Sequence, residues 1–440
     1  MFKTFINAFK IKDLRRKMLI TLLLLFIYRV GCWLTVPGIS PGALKEAATM
    51  TNGSITFLSL MNSISGGALS NASIFALGVS PYISASIIIQ LLTVAIPSLE
   101  RLSKQGEEGR KKINLYTRIC ALILATAQAI GIVVSYANTS GFIDTRMLGA
   151  STPVWISCAF IALVLISGAM FTVWLGERIT DLGVGNGLSL LIFVGILSTA
   201  TTGLYTAFQG VIQNIDYLWT ILVFLLAVIV IFALIVFIDN AERKVPVQYA
   251  KQVKGRKMYG GQTTYIPIKV NATGVIPIIF ANAIVSFPQM LISIFWPSTP
   301  FADWWTKYMG TGSWVYIVAT ALLILFFAYF YSQITFNPED VSKQIQQNGG
   351  FIPGIRAGKP TAEYLGKISS RLTLFGAIYI AAIALIPSLV FNALATTALD
   401  STLINAFSVT GLMILVSVAL ELDKQLEAQM LMRNYRGFLK

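Results

Sequence analysis

The chain has 440 residues, of which 55% are hydrophobic and only 12% are charged, and its formal net charge is +14. A soluble domain would carry about twice that share of charged residues, so the composition excludes an ordinary soluble protein. The absence of histidine excludes histidine-based acid–base catalysis and histidine metal ligands. The three cysteines stand alone without a metal-ligand spacing, and we expect no metal or other cofactor.

The first seventeen residues are basic, and the apolar run that follows is of transmembrane length without a small-residue cleavage site. We expect a first transmembrane helix here rather than a removed signal peptide. Further runs of about 20 apolar residues recur to the end of the chain. They predict an all-α polytopic membrane protein with ten spans, at 18–36, 73–96, 118–136, 152–174, 186–207, 217–238, 272–294, 313–335, 371–391 and 403–421.

The positions of Lys and Arg predict the orientation, because these residues are enriched in cytoplasmic loops. All but four of the 33 lie on one side, which holds both termini and the loops 97–118, 175–185, 239–271 and 336–371. The exceptions are Lys45, Arg146 and Lys307 on the opposite side, and Arg29 inside the first span. Both termini are therefore predicted to be cytoplasmic.

Arg29 is the one charge well inside a predicted span, and the one acidic residue within the predicted bounds is Glu421, the last residue of the tenth span. Intramembrane charges often mark functional sites. The alternative, which we favour, is a structural role in which Arg29 pairs with backbone carbonyls or polar neighbours.

The segment 55–72 is apolar enough to enter the membrane but too short and too polar to cross it. Its apolar residues could form one short helix that ends at Gly66 and Gly67, and they are Phe57, Leu58, Leu60, Met61 and Ile64. Two interpretations stay open. The helix is either a re-entrant half-helix in a central cavity or an amphipathic helix on the outer surface.

Two apolar segments echo each other: 78–83 reads GVSPYI and opens the second span, and 274–279 reads GVIPII and opens the seventh. Ten spans with both termini on one side divide into two halves of five, 1–210 and 211–440. These halves run in opposite directions. The echoing segments take second place in each half, which is the arrangement of an inverted repeat around a pathway.

Several uncharged polar residues also lie within predicted spans, namely Ser84, Ser86, Gln90, Gln128 and Asn282. Interhelical hydrogen bonds of this kind contribute about 0.6 kcal/mol each, so a seam held by a few of them could open. Ordinary contacts between helices are the alternative.

The loops 239–271 and 336–371 are too long to be simple connections. The first is basic and includes Arg243, Arg256 and Lys257, and the alternation near 263–270 predicts a short hairpin. In the second, Pro and Gly residues would hold Arg356 at an ordered tip. Such loops suit orientation signals, anionic-lipid contacts, or docking of an acidic protein or ribosomal RNA.

The segment 174–187, which reads WLGERITDLGVGNG, resembles a signature of the SecY family, whose members are the central subunit of the protein-conducting translocation channel. The segments 66–70, 73–78 and 81–87 resemble the family's other signature, and shorter matches lie at 27–31, 336–338, 353–356 and 425–429. The resemblance covers nearly the whole chain and is weakest at 138–151 and 295–312.

The resemblance implies an hourglass pore between the two halves, with a ring of aliphatic side chains at its waist. Carried over by position, the ring comprises Val79, Ile83, Leu188, Ile192, Ile279 and Ile414, with Ile87 as a further candidate. The half-helix near 57–67 resembles the family's plug. The second, third, seventh and eighth spans resemble its lateral gate, through which signal sequences and transmembrane segments leave sideways.

The resemblance also implies partners and a location in the plasma (inner) membrane. The partners are SecE-like and SecG-like small subunits, the motor ATPase SecA or the ribosome, signal peptides, and nascent or precursor polypeptides; the basic loops add anionic lipids. Arg356 would carry most of the docking, with Arg243, Arg256 and Lys257 as further candidates. A secondary transporter and an intramembrane enzyme fit less well, because intramembrane acids, histidine and paired carboxylates are lacking.

Overall fold

The structure, a computed structural model, describes residues 2–39, 62, 65–137, 153–213, 217–249, 252–254, 257–259, 263–271, 273–295, 299–310, 313–394 and 409–437. Most of these residues are helical. The helices are α1 Phe2–Lys10, α2 Lys12–Gly31, α3 Ser80–Ala95, α4 Pro97–Ser103, α5 Glu107–Ala137, α6 Val154–Leu182, α7 Gly187–Gln213, α8 Tyr217–Asp239, α9 Ile276–Phe295, α10 Pro300–Met309, α11 Trp314–Thr335, α12 Pro338–Gln347, α13 Lys359–Leu394 and α14 Val409–Gly437. The strands are β1 Glu242–Tyr249, β2 Gln252–Lys254, β3 Lys257–Tyr259, β4 Thr263–Lys269 and β5 Gly350–Phe351.

Within this part of the chain, six stretches of helix are long and apolar enough to cross a membrane. They are Glu107–Val134, Val154–Leu182, Gly187–Ile212, Ile221–Asp239, Trp314–Gln347 and Lys359–Pro387. Helices α3 and α4 pass the same test together, but they bend by 106° where they meet, so they add a seventh span only if the bent pair crosses as one. The protein is thus a multi-span helical membrane protein, and the count of ten spans stays a prediction.

Each of the ten predicted spans overlaps a helix. The sequence explains why some of these helices are not long and apolar enough to count as spans. Helix α2 begins with five charged residues in its first six, so its uncharged run covers only 18–28. Helix α9 contributes the shorter apolar stretch Ile276–Val285, and α14 becomes charged from Glu421 onward. One predicted boundary was wrong, because residues 74–79 form turns before α3. Helix α13 contains the predicted span 371–391 and begins earlier, at Lys359.

The two echoing segments share one local geometry. Each begins with a glycine in the left-handed region, where φ is 53° at Gly78 and 62° at Gly274. The last isoleucine of each segment donates its amide to the carbonyl of the valine four residues earlier, at 3.1 Å for Ile83 to Val79 and 3.2 Å for Ile279 to Val275. The proline of each segment lies in the first helical turn, where its missing N–H needs no partner.

The described residues form two compact units, of which the first draws on Met1–Ile221, Ala283–Tyr316 and Phe391–Lys440. Its main core joins the turns at 68–77 to α5 and α6. Small residues let these helices approach closely, since Ala125 and Ala129 of α5 are fully buried there. This core fixes the turns that precede α3.

The second unit draws on Leu222–Asn282 and Ile317–Val390. Strand β1 pairs antiparallel with β4, from Glu242 opposite Lys269 to Gln248 opposite Thr263, and with β5 at its other edge. The predicted strand pairing near 263–270 is therefore confirmed. The prediction of an all-α protein was wrong in this one respect, because the chain also forms small β-sheets. The inward face packs on α12 and α13 through a core of Val245, Val247, Ile268, Ile345, Ile352 and Leu365. The predicted division of the chain into halves at 210/211 stays a prediction, and it is separate from the division into these two compact units.

Candidate functional site

A turn between α2 and α3 holds the end of the predicted half-helix. Gly66 and Gly67 have φ of 71° and 84°, and the Gly67 amide donates to the Asn62 carbonyl at 2.9 Å. A six-residue closure of this kind, with glycine in the left-handed region, is a common helix ending. The Asn62 side chain also accepts from the Ser70 amide at 2.9 Å. The other predicted plug residues lie outside the described residues, and they are Phe57, Leu58, Leu60, Met61 and Ile64.

Arg29 fastens this turn to α2. Its Nη1 donates to the Gly66 carbonyl at 2.9 Å, and its guanidinium lies 5.7 Å from the centre of the Trp33 ring. Cys32 of the same helix end donates its Sγ to the Ser65 carbonyl at 3.8 Å. The interpretation that Arg29 pairs with a backbone carbonyl is thus confirmed, and the carbonyl belongs to the predicted end of the plug.

A ladder of aromatic rings continues from this turn to α6. Phe75 stacks on Tyr28 of α2, with ring centres 5.9 Å apart, and on Phe171 of α6, at 5.7 Å. Phe171 in turn stacks on Trp174, 5.4 Å away, inside the segment that carries the family signature. The ladder ties the turn that ends the predicted plug to two membrane helices. Sequence reasoning missed it because its members lie far apart in the chain.

The predicted ring residues lie on four helices. Val79, Ile83 and Ile87 follow each other at four-residue intervals along one face at the start of α3, and Val79 and Ile87 are buried. Leu188 and Ile192 have the same spacing on α7.

The other ring residues, Ile414 and Ile279, lie on α14 and α9. Helix α7 packs against α14, which carries the buried Ile414, and Leu188 itself lies against Gly176 of α6. Ile279 is half-buried on α9 in the second unit.

The polar residues predicted for the gate occupy two neighbourhoods. Helices α3 and α5 pack along each other in the first unit, where Ser84 and Ser86 are half-buried, Gln90 is exposed and Gln128 is buried. Among the residues that the structure describes, the Gln128 Oε1 atom has no hydrogen-bond partner. An unpaired buried acceptor costs about 1–3 kcal/mol, which weakens this contact.

The second neighbourhood lies at the start of α9. Asn282 is buried there, and Phe280 packs edge-on against two rings of α11, Phe327 at 5.3 Å and Tyr331 at 5.5 Å. The predicted seventh and eighth spans therefore contact each other within the second unit.

An ion pair that the sequence analysis did not predict joins α5 to α6. Arg118 donates from Nε and Nη2 to the two carboxylate oxygens of Glu177, each at 2.8 Å. Both side chains remain partly exposed, so the pair contributes no more than about 1 kcal/mol. Its partners are 59 positions apart, and no local pattern connects them.

The predicted docking residue Arg356 lies on an ordered loop between β5 and α13. Gly354 and Gly358 on either side have φ of 82° and 98°, and the Arg356 carbonyl accepts from the Thr361 hydroxyl at 2.8 Å. The Ser342 hydroxyl of α12 donates to the Gly358 carbonyl at 2.7 Å. The backbone is therefore fixed at several points while the Arg356 side chain stays exposed.

Two of the other docking candidates lie on the strands before α9. Arg243 is exposed on β1, and Lys257 belongs to β3, whereas Arg256 lies outside the described residues. Lys244, beside Arg243, pairs with Glu242 at 3.5 Å. No cluster of three or more Cys, Asp or Glu side chains that could hold a metal occurs within the described ranges.

Related proteins match this chain along its whole length. The family model described as SecY matches residues 73–422. The protein translocase subunit SecY of Streptomyces coelicolor is 41% identical over 446 residues, which cover all of both chains. The same subunit of Mycobacterium tuberculosis is 42% identical over 452 residues, again with both chains fully covered. That of Thermotoga maritima is 39% identical and covers all of this chain and 98% of its own.

Solved structures are similar in fold. One described as "The structure of a protein conducting channel" aligns with a TM-score of 0.66 at 19% identity, over 95% of this chain and 93% of that chain. Sec61 in the canine ribosome-channel complex aligns with a TM-score of 0.62 at 18% identity, over the same shares of both chains. At these identities the likeness establishes the fold alone.

Proposed function

The chain belongs to the SecY family, and on that premise we propose how it acts as the channel subunit of a protein translocase. The relatives at about 40% identity over their full length are named protein translocase subunit SecY. The protein is accordingly a protein-conducting channel in a membrane and not an enzyme.

The proposed architecture has ten spans in two inverted halves of five, 1–210 and 211–440, around an hourglass pore. The single observation that carries it is the matched helix start at 78–83 and 274–279. Both segments have a left-handed glycine, a proline in the first turn and the same first hydrogen bond. Two copies of one local structure at equivalent places in the two halves support a repeat of opposite topology.

The seal at the waist is a ring of aliphatic side chains. Branched aliphatic residues form a constriction that excludes water and ions, yet they contain no fixed charge to hold a passing polypeptide. The four-residue spacing on α3 and α7 supports this role, because it aligns successive side chains on one helix face. The ring comprises Val79, Ile83, Ile87, Leu188, Ile192, Ile279 and Ile414.

The segment 57–67 closes the outer funnel at rest and moves aside during translocation. Its attachment through Gly66 to Arg29 supports this, because one hydrogen bond can hold a resting position and still break. Signal sequences and transmembrane segments leave sideways between α3 and α5 on one side and α9 and α11 on the other. The unpaired Gln128 oxygen on α5 weakens the packing of α3 on α5, which together form one side of that gate.

The channel itself is passive, and it is driven by the motor ATPase SecA or by chain elongation on a ribosome. Exposed Arg356 on its fixed loop is the main docking residue, assisted by Arg243, Arg256 and Lys257. Small subunits like SecE and SecG complete the complex. We place the protein in the plasma (inner) membrane with both termini in the cytoplasm.

Reconstitution tests this function directly. Vesicles with the chain, its small subunits, SecA, ATP and a signal-bearing precursor should yield protease-protected precursor, and vesicles without ATP should not. Arg356→Glu should reduce the protected product at least tenfold, because it reverses the charge at the docking site. Lys343→Glu makes the same charge change on an exposed site of α12 and should reduce it less than twofold. Equal yields from the two variants would contradict the docking role.

A further inference from the structure

The amino-terminal helix α1 has three distinct faces. Thr4 and Ala8 are buried against the rest of the first unit. Phe5, Ile6 and Phe9 point outward, with 39%, 56% and 39% of their surface exposed. Asn7 and Lys10 form a third, polar face. A short helix therefore presents three large apolar side chains beside a basic one.

The buried face fixes the position of α1. The Thr4 hydroxyl donates to the Glu427 carboxylate of α14 at 3.4 Å. Ala8, which is fully buried, belongs to a small core with residues of α2, α14 and the turn before α7, namely Leu14, Met18, Leu426 and Val184. The exposure of Phe5, Ile6 and Phe9 is thus a property of a docked helix and not of a loose end.

The chemistry of the surroundings indicates what covers the apolar face. A single residue, Ile11, separates α1 from α2, whose uncharged run enters the membrane. Five exposed basic side chains lie at the end of α1 and in the first turns of α2, namely Lys10, Lys12, Arg15, Arg16 and Lys17. Asp13 is the only acid among the first 17 residues. Apolar residues on one face, lysines beside them and a membrane span next in the chain are typical of a helix that lies in the membrane interface.

We propose that α1 lies in the cytoplasmic interface of the membrane, with Phe5, Ile6 and Phe9 among the acyl chains and the basic cluster on anionic headgroups. Each basic side chain near an anionic surface strengthens binding about fivefold, so several of them favour an anionic leaflet. The inference rests on the proposed function in one respect, since it takes the termini to be cytoplasmic.

In this arrangement the lipid also supports the folded structure of the channel subunit. Because α1 packs on Val184 and Leu426, binding to the membrane would brace the turn that leads into α7 and the cytoplasmic part of α14. Helix α7 carries two of the proposed ring residues. An anionic leaflet would therefore stabilise the cytoplasmic base of this unit through α1.

Spin labels at neighbouring positions test the location of α1. A full-length chain without its three native cysteines receives one cysteine, at Ile6 or, as the matched control, at Asn7. Each is labelled and reconstituted in vesicles of phosphatidylglycerol and phosphatidylcholine. We expect the label at position 6 to be relaxed by oxygen and shielded from a water-soluble nickel complex, and the label at position 7 to show the reverse. Access of the nickel complex to both positions would overturn the proposal, and so would shielding of position 6 from both reagents, which would indicate a protein cover.

The role of charge is tested with the label at position 6. In vesicles of phosphatidylcholine alone, or with Lys10→Gln and Lys12→Gln together, its shielding from nickel should fall at least twofold. Unchanged shielding in both cases would overturn the anionic contribution. Translocation measured in the same vesicles separates the two claims. Protected precursor with position 6 in water would refute the lipid contact alone, and shielding without protected precursor would refute the proposed function alone.

Discussion

Arg29 is the residue whose contacts most directly connect the first span to the proposed plug. Arg29 lies in the last turn of α2, and an arginine costs at most about 2.5–3.5 kcal/mol to insert, which is the value for the centre of a membrane helix. Its bond to the Gly66 carbonyl and its place beside the Trp33 ring offset part of that cost. Chemistry alone predicted backbone carbonyls or polar neighbours as partners of Arg29, but it could not identify Gly66, which lies 37 positions away.

We expect Arg29→Met to loosen the turn at 65–67 and to raise the resting ion conductance of reconstituted channels. The physical reason is the loss of the donor to Gly66, which leaves the segment before it less firmly held. Arg178→Met is the control, because Arg178 also lies 5.7 Å from a tryptophan ring centre, that of Trp174. Its head group also lies 3.8 Å from the exposed carboxylate of Asp181. Equal conductance in the two variants would show that the Arg29 bond does not hold the closed state.

A second residue-scale prediction concerns glycine. A Cβ atom at Gly31 would overlap the ring of Phe75, so Gly31→Ala should destabilise the protein by about 1–3 kcal/mol. At Gly366, in α13, a Cβ atom would meet only the Pro338 ring at 3.7 Å. Gly366→Ala should therefore be neutral or stabilise by about 0.4–1 kcal/mol. The measurement is the thermal unfolding midpoint in one detergent, and a midpoint for Gly31→Ala at or above that of the parent would contradict the packing.

At the scale of elements, the starts of α3 and α9 are the decisive structures. Glycine turns the chain there and proline occupies the first helical turn, where both favour a helix beginning. Replacing Pro81 and Pro277 with alanine therefore removes a helix start signal.

The aliphatic seal of the pore can be tested with two matched substitutions on α3. Ile83→Ser should raise the resting ion conductance severalfold, because a hydroxyl in the constriction lets water enter. Ile88→Ser makes the same change on the same helix, at a side chain that is 38% exposed and outside the proposed ring, and it should leave the conductance at the parental level. If the two variants conduct equally, Ile83 is not part of the seal.

Helices were predictable from sequence because long apolar runs leave few alternatives in a membrane. Their contacts were not. The ion pair between Arg118 and Glu177 and the stacking of Phe75 on Phe171 join residues that only the folded chain brings together. The pairing of β1 with β5 likewise depends on two loops that are about 100 positions apart. Assignments of the ring and gate residues came from the family resemblance, and no local pattern would have identified them.

At the scale of the whole molecule, family membership establishes a channel for polypeptides, and the inverted repeat that we propose would explain how one chain builds it. Each half would supply one wall, with its second helix beginning at a left-handed glycine. The central prediction is therefore that α3 and α9 line the same pathway, where Ile83 and Ile279 meet the polypeptide as it passes.

Crosslinking to a precursor halted in transit tests that claim most directly. In a chain without native cysteines, single cysteines replace Ile83, Ile279 or, as controls on exposed helix surfaces, Leu226 and Phe326. The precursor carries one cysteine in the halted segment. We expect disulfide-linked product from positions 83 and 279 and none from the two controls. Product from only one of the two ring positions, or from the controls as readily, would contradict that prediction.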